Sequence, residues 1–542
     1  MKKTNLIIVL SFIISFKTIA LECANVAAAP PCPTSGVRLL DESYPTQAFV
    51  VSNVMKSGFV SKTSKVPEDF TMNVIESYDY ENVPQIIYPF TDSKDYEELK
   101  KKVEQNLIEK KISKDKIDKI LAQMTHAPTE SYTWQQDYFI SEFNPQTGRP
   151  VISNFDSYGQ KFYAAEQSTN ALVGQSNKCG VERGQILKES GESFGSGEMG
   201  GNTQALPGGY CLTGDNQGKD LSAKFCGSVD NIVQVNTSWQ RVGHVDEIFK
   251  IIPTNYADGR PRECQFSFLA ASPRKALELL IAEKNADKKM FDFDPKLSAE
   301  QLEKERILKS RNNNLCQYIK NSAKKRENTK ENGEHVPATK NVFFRYLIDR
   351  AYAGATRTTK VGSNNLKSIQ MHGYNFDYEA DCEKGISDLT NREYYNEFMQ
   401  DKDAVELNNL VQESIDRDKE KVKKSILARL PQCEKYFEMT DVPDLFYGGG
   451  NDVYTDTDGK RKLASPGNVR SLLPNPTNSV VMNHTLLIPE SNSNTFNDYI
   501  NEELKKKRMK TSYIDVWEFA HMLDGNMHCS SHSINYCSPV KK

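Results

Sequence analysis

The chain has 542 residues, 38% hydrophobic, 10% aromatic and 26% charged. This is the balance of a folded globular protein with room for about two to four ordinary domains, and it excludes a disordered or fibrous chain. A net charge of −3, with Lys-rich runs matched by Glu and Asp, excludes a protein that grips nucleic acid through its phosphates.

The chain opens Met1-Lys2-Lys3 and runs into an apolar stretch from Leu6 to Phe16. That length suits the hydrophobic region of a signal peptide and is too short to span a bilayer. Residues 1–29 are therefore expected to be a signal peptide, cleaved after Thr18-Ile19-Ala20 or within Ala27 to Ala29. No later run approaches membrane-spanning length, so the mature protein is expected to be exported, periplasmic or secreted, with no membrane partner after cleavage. Eleven cysteines in an exported chain raise the prospect of disulfides, whose connectivity spacing does not give. The absence of paired C-x-x-C motifs argues against structural zinc.

Residues 30–125 read as a small N-terminal extension of strands and a helix. Gln47 to Val51 is apolar enough for a strand, and residues 94–123 repeat Tyr96, Leu99, Val103, Leu107, Ile112, Ile117 and Leu121 at helical spacing. From Trp134 to about Leu280, short apolar runs broken by Gly, Asn and Pro predict strands joined by functional loops. Residues 283–335 and 386–430 are charged and helical in pattern, and about 310–400 reads as an insertion in a unit spanning 126–542. The stretch from Gly448 to Gly459 reads as a loop. It is no EF-hand, since Tyr454 and Ser465 stand where that motif needs its first acidic ligand and its closing Glu.

Four segments carry candidate chemistry. Trp134-Gln135-Gln136-Asp137 offers an aromatic beside a carboxylate, and Gly243-His244-Val245-Asp246-Glu247 precedes an apolar run. Read as a strand, the latter sets His244 and Asp246 on one face. Pro474-Asn475-Pro476-Thr477-Asn478 has the composition of a turn, and His528-Cys529 places a thiol near the C-terminus. The competing uses of that thiol are an inert buried cysteine or a disulfide with Cys537. A papain-like protease is excluded, because its nucleophile precedes its histidine in the chain.

In this order the segments, with Phe155-Asp156-Ser157, Gly201-Asn202 and Leu473 to Asn478, resemble the peptidylarginine deiminase family of guanidine-modifying enzymes. The resemblance covers about 125–285 and 405–540. It implies an α/β fold, the five-bladed pentein propeller, here carrying a charged helical insertion, and a cysteine hydrolase that converts peptidyl arginine to citrulline and ammonia. Its substrates would be arginine-containing proteins or peptides. Asp137 and Asp246 would hold the guanidinium, a planar cation whose N–H pairs match carboxylates. Cys529 would attack its central carbon, His244 would act as general acid and then base, and Trp134 would pack on the arginine stem. His528 and His532 are expected as structural neighbours or walls of the site.

The sequence also departs from the family. Gly159 and Lys161 stand where substrate-gripping arginines are implied, leaving Lys161 as the substrate-binding candidate. Of the implied calcium ligands only Gln136, Asp156 and Ser157 match, while Tyr138, Ile140 and Gln204 replace carboxylates. Weak or absent calcium dependence is therefore expected, with no other cofactor. The alternatives are a deiminase or amidinotransferase for a small guanidine such as free arginine or agmatine, and an inactive pentein used for binding.

Overall fold

The computed structural model describes residues 29–33, 36–42, 44–52, 66–89, 92–128, 134–137, 139–155, 170, 173–174, 180–187, 200–254, 259–290, 390–400, 402–448, 452–491, 493–516, 520–521 and 525–539. The expected signal peptide and most of the expected insertion lie outside these residues. Among them no helix is long and apolar enough to cross a membrane.

The protein is α/β and repeats one small unit five times. In each unit an antiparallel strand pair is followed by a third strand that joins in parallel. Phe139–Phe143 pairs antiparallel with Pro150–Phe155, which pairs in parallel with Glu182–Leu187. The same order recurs in Thr203–Leu206, Tyr210–Gly214 and Ile232–Val235, in Phe249–Pro253, Phe266–Ser272 and Met439–Pro443, and in Val480–Met482, Thr485–Pro489 and Lys510–Ile514. A parallel partner requires a crossover. Lys219–Cys226 and Asn494–Lys506 supply it in two units, and Pro273–Ile281 with Lys402–Arg429 stands in the long crossover of a third.

The fifth sheet draws on residues 30–125, the expected N-terminal extension of strands and a helix. Ser531–Asn535, near the C-terminus, pairs antiparallel with Thr46–Val51, which runs parallel to Gln85–Pro89, itself parallel to Met124–Ala127. The N-terminal strands thus complete a sheet that the C-terminal strand begins. Their side chains Phe49, Val51, Ile86 and Tyr88 share a core with Val480, Met482, Leu487 and Ile514 of the neighbouring unit. A Cys32–Cys537 disulfide and the bond from Cys32 N to Ser538 O tie the same ends together.

Val66–Ser77 is a helix where strands were expected, and two other segments also differ from the reading of the sequence. The expected 94–123 helix is two helices, Ser93–Glu109 and Lys114–Gln123. Lys111 adopts φ 60°, and Ile112 N turns back to Leu107 O, which ends the first helix before Ser113 starts the next. Both still bury their periodic apolar residues. The expected loop around Gly448 to Gly459 contains a hairpin, Val453–Thr455 against Arg461–Leu463. Its turn is closed by Asp456 Oδ1, which accepts from Asp458 N and Lys460 N.

Candidate active site

A single positional rule places the candidate residues. Each short turn that the sequence singled out stands just before the first strand of a sheet. Gln135–Asp137 leads to Phe139, Gly200–Asn202 to Thr203, Val245–Glu247 to Phe249, Asn475 to Asn478 to Val480, and Cys529 to Ser531. These turns touch one another although hundreds of residues separate them. Gln136 N donates to Cys529 O at 3.3 Å, and Cys529 N donates to Asn478 Oδ1 at 3.2 Å. A Cβ on Gly200 would collide with Gln136 O, so the backbones approach as closely as glycine permits.

His244 and Asp246 were expected on one face of a strand, and the structure corrects this. His244 caps a short 3-10 turn, Val245–Glu247, and the strand begins only at Phe249. The turn is set by Asn202, whose Oδ1 accepts from Val245 N at 3.1 Å and Gly214 N at 3.0 Å. Gly243 precedes it at φ 75°, with Asn216 Nδ2 where a Cβ would project. Gly201 packs so closely on His244 that a Cβ there would lie 2.5 Å from Nδ1. The imidazole is held by shape.

His244, Asp246 and Cys529 are all buried, and one nitrogen, oxygen or sulfur atom from each lies within 4.8 Å of the others. Cys529 is in no disulfide among the described residues, and the pairing with Cys537 is overturned because Cys537 is bonded to Cys32. Two further disulfides, Cys211–Cys226 and Cys264–Cys433, lie away from it. Cys529 Sγ lies 3.2 Å from Asn478 Nδ2, 3.7 Å from Glu247 Oε1 and 3.9 Å from Asp246 Oδ2. Asp246 Oδ2 accepts from His528 Nδ1 at 2.8 Å, and its Oδ1 is buried with no hydrogen-bond partner among the described residues. An orphaned buried carboxylate oxygen calls for a donor from outside.

Three features were not legible as site residues. Glu247 accepts from Asn475 Nδ2 and Asn478 Nδ2, each at 3.0 Å, and burial beside the Asp246 carboxylate pushes its pKa well up. His528, expected only as a wall, bonds Asp246 on one nitrogen and faces Glu42 Oε1 at 3.2 Å and Gln136 Nε2 at 3.0 Å on the other. Glu42 also pairs with the buried Lys250. Burial opposes the Glu42 carboxylate, but Lys250 and His528 outweigh it and hold its pKa below the ordinary value. His532 packs at a tilt against Phe139 with ring centres 4.2 Å apart, and burial, with His528 nearby, lowers its pKa to about 3. It is a neutral support under the site.

Asp137 ends the turn whose backbone meets Cys529, and its backbone alone is described. Trp134 is half-buried against the core shared by the N-terminal strands, with Gly525 pressed to its ring. Lys161, Asp156 and Ser157 lie outside the described residues. Gln136, the described member of the partial calcium set, is a neutral amide with its nitrogen against His528.

A family model described as protein-arginine deiminase (PAD) matches residues 221–538, more than half of the chain. Among solved structures, an agmatine deiminase from C. jejuni is similar at 11% identity and TM-score 0.42, over 93% of this chain and 97% of that one. One from Enterococcus faecalis is similar at 10% identity and TM-score 0.40, over 94% and 100%. A search of curated proteins finds no match.

Proposed function

The chain belongs to the protein-arginine deiminase family and acts on guanidino C–N bonds, and from that premise we propose that it hydrolyses peptidyl arginine to citrulline and ammonia. The observation that carries this reading is the buried Asp246 Oδ1, without a hydrogen-bond partner among the described residues, beside the Cys529 thiol. A guanidinium is a permanent cation with N–H groups suited to that oxygen.

The proposed chemistry runs in two stages. Asp246, and Asp137 from the adjoining turn, hold the guanidinium N–H groups. The Cys529 thiolate attacks the central carbon, forming a C–S bond. His244 protonates one amino group, which leaves as ammonia, and a thiouronium remains on sulfur. His244 next takes a proton from water, whose oxygen adds to the same carbon, and the C–S bond breaks to return the thiolate and release the ureido product. The Asn478 N–H beside Sγ supports the anionic sulfur in both steps.

The five alike sheets are, in this reading, the blades of a five-bladed α/β propeller, with the five turns meeting at its centre. The fold unit begins with the N-terminal strands. The enzyme works beyond the inner membrane, in the periplasm or outside the cell, and three disulfides among the described residues support an oxidising compartment.

The test is mass spectrometry of an arginine peptide incubated with the protein and with Cys529→Ala. Replacement of one guanidine NH by oxygen with the native chain alone supports the reading. Faster ammonia release from free arginine or agmatine than from the peptide would move the assignment to a small guanidine, and no release from any of them would remove the catalytic reading.

A further inference from the structure

We propose that Glu247 takes the proton of the Cys529 thiol when the nucleophile is formed. The S–H bond breaks, an O–H bond forms on Glu247 Oε1, and the electron pair stays on sulfur as the thiolate. Thiol and carboxylate become thiolate and carboxylic acid, so no charge or proton is gained from outside. The step deepens the deiminase reading and rests on it only for the role of Cys529.

The contacts select Glu247 over its neighbour. Its Oε1 lies 3.7 Å from Sγ, whereas Asp246 Oδ2 lies at 3.9 Å and already accepts from His528. The remaining Asp246 oxygen is the one left for a guanidinium. Asn475 and Asn478 fix both Glu247 oxygens, and a carboxylic acid oxygen keeps a lone pair for such a donor. Asn478 donates to Glu247 and also lies against the sulfur, so one amide positions both ends of the transfer.

The surroundings favour the proton on Glu247. Burial, with the Asp246 and Asp444 carboxylates beside it, raises the Glu247 pKa well above the ordinary value, so this carboxyl is well suited to hold a proton. Glu247 also lines a cleft with Gln240, Arg470, His521 and Asn526, which gives its proton a way to exchange with water. Arg470 and His521 are the basic side chains on that wall.

The sign of one measurement decides the matter. Cys529 alkylation by iodoacetamide is followed against pH in the ligand-free full chain, by mass spectrometry of the Cys529 peptide. If Glu247 receives the proton, Glu247→Gln removes the acceptor, the midpoint moves up by about 1 pH unit, and alkylation near neutral pH slows about tenfold. If Glu247 is only a fixed negative charge, the same change relieves repulsion on the thiolate and the midpoint moves down. An unchanged or lowered midpoint overturns the proposal. Glu247→Asp, which withdraws the acid by one methylene, gives a second reading should the Gln variant fail to fold. Its midpoint is expected between the other two, and one at or below that of the native chain overturns the proposal. The assay contains no guanidine, so an inability to release ammonia leaves its result standing.

Discussion

Asn478 and Cys529 hold each other twice, through Cys529 N to Asn478 Oδ1 at 3.2 Å and through Asn478 Nδ2 against Cys529 Sγ at 3.2 Å. The two residues open the first strands of two different sheets, so this reciprocal grip fixes the sulfur relative to the rest of the site. It also gives the thiolate a donor that no solvent molecule needs to supply.

Asn478→Ala should therefore lower kcat more than it changes KM. A hydrogen bond to a charged group contributes about 1.5–3 kcal/mol, which predicts a loss of roughly 10- to 150-fold. Steady-state kinetics on an arginine peptide check this, and a loss confined to KM would speak against support of the sulfur.

Asp246→Asn is expected to be more severe. It removes the negative charge and turns one of the two carboxylate oxygens into an NH2 donor, so the guanidinium and His528 Nδ1 can no longer each have an acceptor oxygen. Breaking a buried charge pair costs about 3–5 kcal/mol, so kcat/KM should fall by at least ~10². Glu42→Gln, which leaves Asp246 in place, should fall less, and the ranking of the two variants is the check.

His532 makes a prediction for stability against pH. Its folded pKa of about 3 lies below the ordinary histidine value of 6.5, so the unfolded chain binds more protons between those values. Its contribution is fully present above pH 6.5 and is lost as pH falls toward 3. Thermal melts at several pH values should show a shallower acid decline for His532→Phe than for the native chain across that window.

Calcium should matter little. Gln136 turns its amide nitrogen to His528, and Tyr138, Ile140 and Gln204 stand where the family resemblance implies carboxylates. Chelation is expected to leave activity within about twofold, and a large loss restored by calcium alone would contradict this.

The site was more legible than the fold. His244, Asp246 and Cys529 are short-motif residues whose types already suit guanidine chemistry, and the structure brings them together. Glu247 stood in the same motif, yet nothing local reveals that Asn475 and Asn478, from a turn more than two hundred residues later, would bind it. The chain Lys250–Glu42–His528–Asp246 was hidden for the same reason, since its members come from three distant segments. Periodicity showed the apolar faces of residues 93–123, whereas the break at Lys111 depends on one backbone angle. The N-terminal strands read as an extension because their antiparallel partner, Ser531–Asn535, lies at the other end of the chain. The positional rule, a functional turn before the first strand of each sheet, becomes visible only once strand pairing is known.

The central claim is that Cys529 forms a covalent bond to the guanidine carbon. Acid quenching of the enzyme during turnover of an arginine peptide, followed by mass spectrometry of the Cys529 peptide, measures it directly. The account predicts an adduct on Cys529 equal to the substrate less one ammonia, present in the native chain and absent from Cys529→Ala. Continued citrulline formation by Cys529→Ala at the native rate would contradict it.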